Sequence, residues 1–348
     1  MSKLRTAVLG AGGIVGQRFC EMLSSHPYFD IPDIYGSERS AGRPLSEVVI
    51  LPEHRIGEEL LQMKMKALTE EAVKREKYDV IFSALPSDAA LRFEEDLCSS
   101  GNRVFTNASP NRMKPNVPLV VPEVNHEHLS AVEGRKGFIV ANGNCSAIGL
   151  AMGLKPLERF GLRSVEVTTL QALSGAGYPG VPSLDASGNV IPFIDSEEEK
   201  LQQEIPKMFG NLASGEILPS GIIVRATCTR VPVRDGHMES VTVQLGQAVT
   251  FPEVTDAFSS FRSLPQELSL PSAPLRPVIL RMERNRPQPL LDVNAGEPFS
   301  ARGMAATVGR LRVEGSTVRF VILTHNTIRG AAGGSLLNAE IMHARKVL

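Results

Sequence analysis

The fold is decided by residues 4–19, which read LRTAVLGAGGIVGQRF. The apolar run at 4–9 predicts a β-strand, and four glycines follow it within positions 10–16. Apolar residues then recur from Val15 to Leu23 at the spacing of one helix face. A strand, a glycine turn and a helix in this order predict a dinucleotide site, because glycine lets the backbone approach a pyrophosphate at the helix N-terminus.

Strands and helices continue to alternate up to about residue 148. Apolar runs predict further strands at residues 33–35, 80–85, 104–106 and 138–141. A helix is predicted after Pro86, with Ser87 as its N-cap and Gly101 beyond its end. This repetition predicts an α/β fold whose first domain is a Rossmann-type doubly wound parallel sheet, with ligands outside the carboxyl ends of its strands.

The pattern changes near residue 165, where strand-like segments follow one another. These segments are VEVTTLQAL, VRATCTRV, ESVTVQLGQAV, TVGRLRVEG and STVRFVILTH, the last two joined by a predicted turn at EGS. They predict an α+β domain with a mostly antiparallel sheet, interrupted by a helix at 254–264 and an extended proline-rich connection at 265–289. A final helix is predicted at 330–348, where apolar residues again share one face.

The composition agrees with two folded domains in a chain of 348 residues. Hydrophobic residues make up 42% and charged residues 22%, which excludes a largely disordered chain. We expect a dinucleotide-binding domain at 1–148, completed by the C-terminal segment 327–348, and a catalytic domain at 149–326.

Charge and cysteine usage narrow the expected partners and location. The formal net charge is -1, so no overall basic field attracts nucleic acid or an anionic membrane. Residues 137–154 are uncharged over the length of a membrane span, but the polar residues within 142–146 argue against one. The four cysteines contain no C-x-x-C pair, which favours a reducing, cytoplasmic setting.

The loop after the second strand selects between two dinucleotides. An acidic residue here accepts hydrogen bonds from the ribose of NAD, and Glu38 keeps that cofactor possible. Arg39 lies between Ser37 and Ser40, and a guanidinium flanked by hydroxyls is suited to the 2′-phosphate of NADP. We therefore favour NADP.

Cys145 is the best candidate for a nucleophile. It follows the strand FIVA and a polar turn, and it precedes the apolar segment AIGLAMGLKPL, so it should begin a helix. The positive end of a helix dipole stabilises a thiolate, which is the reactive form. His237 lies in a polar turn between two strands, and the residues alone leave open whether it is catalytic or simply solvated. The triplet at 126–128, HEH, lacks a third ligand, so no metal site is predicted.

Taken together, the motifs resemble those of the aspartate-semialdehyde dehydrogenase family, nearest its archaeal and fungal-type branch. The resemblance covers essentially the whole chain. The family's order and spacing are kept by GAGGIVGQRF, SERSAGRPL, GNCSAIGL, LQALSGAGYPG, DASGNVIPFIDSEEEK, RVPVRDGH and HNTIRGAAGGSLLNAE. One departure is Gly143, where the family commonly has proline, and it predicts a looser turn before the cysteine.

The resemblance implies an NADP-dependent, phosphorylating aldehyde dehydrogenase of lysine, threonine and methionine biosynthesis. Cys145 would form a thioester that links aspartyl phosphate, aspartate semialdehyde and inorganic phosphate. His237 would be the acid/base that takes the thiol or hemithioacetal proton, and Gln171 would orient the acyl group. The family's subunits pair through the second domain, which implies a homodimer or homotetramer.

The resemblance also implies a substrate site and a cofactor site. Arg230 would bind the α-carboxylate, Glu197 the ammonium, and Lys200 with Arg112 the phosphate, beside Asn144. The implied cofactor residues are Gly10, Gly12, Gly13, Ile14, Val15, Gly16, Ser37, Arg39, Ser40, Ser83, Leu85, Pro86, Ser174, Gly175, Gly177 and Asn326.

Three other functions remain possible at this stage. N-acetylglutamyl-phosphate reductase shares the cysteine, the histidine and the two-domain plan, but its substrate has no free ammonium for Glu197 to bind. A CoA-thioester reductase could use the same scaffold. A catalytically silent NADP-binding regulator, with Cys145 as a redox-sensitive thiol, is the alternative outside enzymes.

Overall fold

Two six-stranded sheets and a small hairpin organise the computed structural model, which describes residues 3–51 and 53–348. The strands are β1 Leu4–Leu9, β2 Phe29–Gly36, β3 Lys66–Ala67, β4 Val80–Ser83, β5 Arg103–Thr106, β6 Phe138–Ala141, β7 Leu162–Gln171, β8 Asn211–Ala213, β9 Glu216–Leu218, β10 Ile223–Arg230, β11 His237–Leu245, β12 Val278–Leu280, β13 Ala306–Glu314 and β14 Thr317–Thr324. The α-helices are α1 Ile14–Leu23, α2 Glu58–Leu61, α3 Glu70–Arg75, α4 Ser87–Ser99, α5 Pro122–Asn125, α6 Cys145–Leu154, α7 Ser183–Ala186, α8 Glu197–Met208, α9 Phe251–Ser260, α10 Leu264–Glu267, α11 Pro289–Asp292 and α12 Gly333–Ala344.

The first sheet has the predicted doubly wound topology. Its order is β3-β2-β1-β4-β5-β6, and every neighbouring pair is parallel. The connections reverse direction between β1 and β4, which opens a crevice at the carboxyl ends of these strands. The glycine turn follows β1, and Leu85 and Pro86 follow β4, so both segments lie at this crevice.

The second sheet is mixed, with the order β10-β7-β11-β14-β13-β12. Its three inner pairings are antiparallel and its two outer pairings are parallel, which agrees with the mostly antiparallel sheet that we predicted. Arg230 pairs with Gln171 where β10 and β7 end. Met238 pairs with Leu170 in the antiparallel direction, so the preceding His237 lies beside Gln171. Three predicted site residues therefore meet at one edge.

Local capping changes several predicted boundaries. Pro86 occupies the N-cap position of α4 and the hydroxyl of Ser87 instead pairs with Ser109, so the predicted N-cap is wrong. Helix α9 begins earlier than predicted because Thr250 and Glu253 form a capping box. The proline-rich connection is also less extended than predicted, since it contains most of α10 and all of β12.

The C-terminal helix α12 packs against α1 and β5 of the first sheet. It is shorter than predicted, because a wide turn at Ile328–Ala332 precedes it. The uncharged stretch at 137–154 divides into β6 and α6. Within residues 3–51 and 53–348, no helix combines the length and the apolar character that crossing a membrane requires.

Candidate active site

A cleft of about 520 Å³ lies between the two sheets. It is lined by the turns after β1 and β4, the start of α6, the segment after β7, one end of α8 and the turn before α12. The predicted residues that line it are Gly13, Ile14, Val15, Leu85, Pro86, Arg112, Asn144, Cys145, Gln171, Ser174, Gly175, Gly177, Glu197, Lys200 and Asn326. The fold therefore brings most of the predicted site into one cavity.

Cys145 is the first residue of α6, as predicted. The helix is capped by Asn144, whose Oδ1 accepts hydrogen bonds from the backbone N–H groups of Ser146 (3.0 Å) and Ala147 (3.2 Å). Gly330 packs directly on the cysteine, because a Cβ added there would lie 2.8 Å from Cβ of Cys145. Any larger residue at Gly330 would displace the nucleophile or the turn before α12.

The electrostatics of the thiol differ from the prediction. Burial and, to a lesser extent, the carboxylate of Glu197 raise the pKa of Cys145 to about 12, although Arg112 and Arg230 oppose the shift. The helix N-terminus favours a thiolate, but desolvation and a nearby negative charge outweigh it in the free protein. The resting nucleophile is therefore a neutral thiol.

His237 is fixed in one tautomer. Its Nδ1 accepts a hydrogen bond from the backbone N–H of Ala172 (3.0 Å), and its Nε2 is buried with no partner among the described residues. Burial lowers the pKa of His237 to about 3, and the guanidinium of Arg230 lowers it further. A neutral imidazole that accepts at Nδ1 carries its proton on Nε2. The free nitrogen is thus a hydrogen-bond donor, which differs from the predicted acceptor of the thiol proton.

Gly175 packs against the histidine and the arginine together. A Cβ added to it would lie 2.9 Å from Nη1 of Arg230 and 2.9 Å from Cε1 of His237. Arg230 also donates from Nη1 to the carbonyl oxygen of Ala172 (2.7 Å). Arg230 and Glu197 shift the pKa values of both Cys145 and His237, so the sulfur and the imidazole share one electrostatic environment.

Glu197 is an ionised carboxylate held by polar side chains. Both of its oxygens accept from Nδ2 of Asn144 (3.0 and 2.9 Å), Oε1 also accepts from Nζ of Lys200 (2.9 Å), and Oε2 accepts from Nε2 of Gln171 (3.2 Å). Burial alone would raise the pKa of Glu197, but Lys200, Asn144 and Gln171 together hold it below its ordinary value. The site therefore keeps a negative charge ready for a cationic group.

Two buried residues that the sequence analysis missed, Glu204 and Lys207, lie further along α8. Glu204 accepts from Nη1 of Arg112 (3.0 Å) and from the backbone N–H of Asn144 (2.6 Å). Lys207 donates to three carbonyl oxygens in the segment that carries Arg112. Their signal in the sequence is the spacing of charged residues at 197, 200, 204 and 207, which places all four on one helix face.

The turn before the nucleophile is closely packed, although Gly143 predicted a looser one. A Cβ added to Gly143 would lie 2.3 Å from Cε of Met208 and 3.3 Å from Oε2 of Glu204. Asn142, on the other side, donates to Oδ1 of Asn107 (2.9 Å) and to the carbonyl oxygen of Ala331 (3.0 Å). The glycine thus lets α8 approach the nucleophile.

The glycine turn fits a pyrophosphate. Gly13 is the N-cap of α1 and supplies no side-chain cap, so N–H groups of the first helical turn remain available to an anion. Gly10 has a φ of +80°, and a Cβ at Gly16 would collide with the carbonyl oxygen of Gly10 at 2.1 Å. By contrast, a Cβ at Gly12 would have its nearest neighbour at 3.9 Å, so this side of the turn is open.

The loop after β2 fits a phosphate group. Ser37, Glu38 and Arg39 are exposed, and the hydroxyl of Ser40 donates to the carbonyl oxygen of Ser37 (3.0 Å). Within the described residues, Arg39 has no ion pair, whereas the nearby Arg43 is paired with Glu47 (2.9 Å). Arg39 is therefore free to meet a 2′-phosphate.

Two predicted cofactor residues have roles that their positions alone did not reveal. Ser83 is fully buried, and its hydroxyl donates to Oε1 of Glu94 (2.7 Å), so the structure does not place it at the cleft. Asn326 lines the cleft and joins two loops, because its Oδ1 accepts from the N–H of Gly236 (2.9 Å) and its Nδ2 donates to Ser174 (2.8 Å).

Two family models match the chain. Residues 5–132 match the model described as semialdehyde dehydrogenase, NAD binding domain, and residues 154–329 match semialdehyde dehydrogenase, dimerisation domain. The chain belongs to the semialdehyde dehydrogenase family. This membership confirms the family resemblance seen in the motifs.

Several relatives of this chain are similar to it over nearly their full lengths. An aspartate-semialdehyde dehydrogenase from Archaeoglobus fulgidus is 44% identical, over 98% of each chain. A malonyl CoA reductase (NADP) from Metallosphaera sedula is 36% identical, over 97% of this chain and 96% of the relative. A crystal structure of aspartate-semialdehyde dehydrogenase with NADP from Candida albicans superposes with a TM-score of 0.90 at 35% identity, over 99% of this chain and 100% of the other.

Proposed function

We propose that this chain is an NADP-dependent aspartate-semialdehyde dehydrogenase. It reduces aspartyl phosphate to aspartate semialdehyde and inorganic phosphate through a thioester on Cys145, and the reaction is reversible. The observation that carries the proposal is the ionised, buried Glu197 in the same cleft as Cys145, with Arg230 close enough to lower the pKa of that thiol. A buried carboxylate beside a nucleophile selects a substrate with a positive group near the reacting carbon.

The charges around the cleft complement those of aspartyl phosphate. Glu197 binds the ammonium, and Arg230 binds the α-carboxylate. Lys200 and Arg112 bind the phosphate, since both line the cleft near Cys145. Gln171 donates to Glu197 from Nε2, which orients its amide toward the acyl group that it positions.

In the proposed mechanism, the sulfur of Cys145 attacks the acyl carbon and the bond from that carbon to the phosphate oxygen breaks. The thiol proton leaves with the phosphate. The Nε2–H of His237 donates to the carbonyl oxygen as negative charge develops there, and such help is typically worth about 10²- to 10⁴-fold. When bound, NADPH supplies the hydride that reduces the thioester carbon. The C–S bond then breaks, aldehyde leaves, and the sulfur takes a proton from water.

Gly13 and the first turn of α1 would hold the pyrophosphate of NADP, and Arg39 with Ser37 and Ser40 its 2′-phosphate. Leu85, Pro86 and the segment from Ser174 to Gly177 would line the nicotinamide end.

We also propose a homodimer or homotetramer that forms through the second domain, in the cytoplasm. The family description of residues 154–329 as a dimerisation domain supports the assembly. Analytical ultracentrifugation at micromolar concentration tests it, and a monomer would contradict it.

The relative named malonyl CoA reductase makes a CoA-thioester reductase the second candidate. A malonyl group has no ammonium, so it would leave Lys200 as the one cation beside the carboxylate of Glu197 among the described residues and would make no use of this negative charge. N-acetylglutamyl-phosphate reductase meets the same objection.

The test is reduction of NADP by the purified chain with aspartate semialdehyde and inorganic phosphate. We expect phosphate-dependent turnover that is lost in Cys145→Ala and kept in Cys98→Ala, a matched control on α4. Turnover of malonyl-CoA or of N-acetylglutamate semialdehyde, with none of aspartate semialdehyde, would replace the proposal with the corresponding rival. NADP binding without turnover of any of the three would favour the silent regulator.

A further inference from the structure

Helix α8 presents four charged residues to the cleft side of the molecule, and the proposed function uses only two of them. Glu197 and Lys200 are assigned to the substrate, whereas Glu204 and Lys207 lie one and two turns further along. Both are 2% exposed. Burying two ionisable side chains is costly unless each has well-placed partners. Their partners therefore indicate what they do.

The carboxylate of Glu204 joins two segments that are distant in sequence. Its Oε2 accepts the backbone N–H of Asn144 at 2.6 Å, and its Oε1 accepts Nη1 of Arg112 at 3.0 Å. Asn144 is the N-cap of α6, so its backbone fixes where Cys145 begins the helix. One side chain thus contacts both the nucleophile turn and a guanidinium of the cleft.

Arg112 is oriented mainly by these contacts. Its Nη2 donates to the carbonyl oxygen of Asn107 (2.7 Å), while its Nε is buried without a partner among the described residues. Two of its five N–H groups are engaged, and the buried Nε–H is one of the three that remain. The guanidinium therefore keeps donors available for an anion, and Glu204 helps to decide their direction.

Lys207 holds the backbone of the same segment. Its ammonium donates to the carbonyl oxygens of Arg112 (2.6 Å), Lys114 (2.7 Å) and Val117 (2.9 Å), which uses all three of its protons. Helix α8 thus fixes Arg112 through its side chain with Glu204 and through its backbone with Lys207.

We propose that Glu204 is a positioning residue that sets the nucleophile turn and the anion-binding arginine in one arrangement. One oxygen holds the backbone of Asn144, which precedes the nucleophile, and the other holds Arg112, so attack and binding of the departing group are aligned together. The inference rests on the proposed function for the identity of the anion, which is inorganic phosphate.

The test is Glu204→Gln, which keeps the size of the side chain. Glutamine has one acceptor oxygen, so it cannot accept from both donors, and one contact becomes a donor facing a donor. We expect kcat to fall about 10- to 100-fold and KM for phosphate to rise about tenfold. We also expect the rate constant for alkylation of Cys145 by iodoacetamide to change at least threefold, an order-of-magnitude threshold for a displaced nucleophile turn. Glu199→Gln, the same change on the exposed face of α8, is the control and should leave all three unchanged.

A merely structural role gives a different result. Loss of folded protein lowers the active fraction, so kcat falls while KM for phosphate and the alkylation rate constant stay as in the wild type, and this outcome would overturn the proposal. If Glu204→Gln does not fold, Glu204→Asp decides, because it keeps the charge but is too short to reach both donors. A folded Glu204→Asp with wild-type kinetic constants would equally overturn it.

The alkylation measurement needs neither substrate nor phosphate. If the wild type fails to turn over aspartate semialdehyde, the proposed function fails, but the effect of Glu204 on Cys145 is still measured. Altered alkylation in Glu204→Gln then supports the positioning role, and unaltered alkylation rejects it.

Discussion

The two halves of the cleft are built differently. The half that fits the phosphates of the dinucleotide uses backbone N–H groups of one glycine turn and exposed side chains such as Arg39, which lie close together in sequence. The half that carries the chemistry brings Cys145 together with buried side chains from distant segments, including Glu197 and His237, which are held by hydrogen bonds. Changes in the first half should therefore have local and modest effects, whereas changes in the second should affect several groups at once.

The largest effect is expected for His237→Gln. We expect turnover of aspartate semialdehyde to fall about 10²- to 10⁴-fold, because the donor to the developing oxyanion is misplaced. Alkylation of Cys145 by iodoacetamide at pH 8 should stay within about twofold of the wild type, since a ring whose proton is on Nε2 does not accept the thiol proton. Alkylation that falls in parallel with turnover would show that His237 is the base for the thiol. Nitrogen-15 NMR of the histidine ring reports the tautomer directly.

Glu197→Gln should move two measurements in opposite directions. Turnover should fall about 10²- to 10³-fold, because the substrate ammonium loses its buried partner. Alkylation of Cys145 at pH 8 should instead become faster, since the carboxylate is one of the causes that raise the pKa of this thiol. Glu199→Gln is again the control on the same helix. A simultaneous loss of both rates would indicate a damaged site rather than a removed charge.

Arg39→Ala tests the half of the cleft that fits the dinucleotide. We expect KM for NADP to rise about tenfold, because an exposed charge-assisted contact to the 2′-phosphate is lost. KM for NAD and kcat should change little. Arg43→Ala is the matched control, since Arg43 is already paired with Glu47. Equal effects of the two substitutions would place the 2′-phosphate elsewhere.

The contrast between the halves also explains what the sequence could predict. The turn at 10–16 and the position of Cys145 at a helix start depend on neighbours along the chain, so local patterns were enough. The sheet topology and the two-domain plan followed from the alternation of elements. A family resemblance does not give the direction of a hydroxyl, so it implied Ser83 as a cofactor residue, whereas this hydroxyl contacts Glu94.

Long-range contacts account for the rest. Glu204 meets Asn144 across 60 residues and Lys207 meets Arg112 across 95, and no local pattern encodes either pair. The apolar segment after Cys145 correctly predicted that this residue begins a helix, but the thiolate expected from the helix dipole is not found, because the carboxylate and the burial that raise the pKa of Cys145 are products of tertiary packing. The tautomer of His237 also depends on tertiary packing, because it is set by the backbone N–H of Ala172, the residue that follows β7.

The smallest expected effect concerns acid stability, and it isolates one buried ring. Burial lowers the pKa of His237 to about 3, whereas the pKa of a histidine in an unfolded chain is about 6.5. Between these values the unfolded chain binds a proton that the folded chain does not, so the free energy of unfolding falls as pH falls, by roughly 1.4 kcal/mol per unit. From pH 7 to 5 the wild type should lose about 2 kcal/mol more than His237→Gln.

Urea unfolding of both proteins at the two pH values measures this difference. The pKa of Glu239 is raised by burial, which works in the opposite direction, but this residue is present in both proteins and cancels in the comparison. His325, whose pKa burial lowers to about 3, cancels in the same way. Equal losses in wild type and His237→Gln would mean that the ring is protonated or solvated in the folded protein. The half of the cleft that carries the chemistry would then lack the buried, neutral Nε2–H donor of His237 that distinguishes it from the half that fits the dinucleotide.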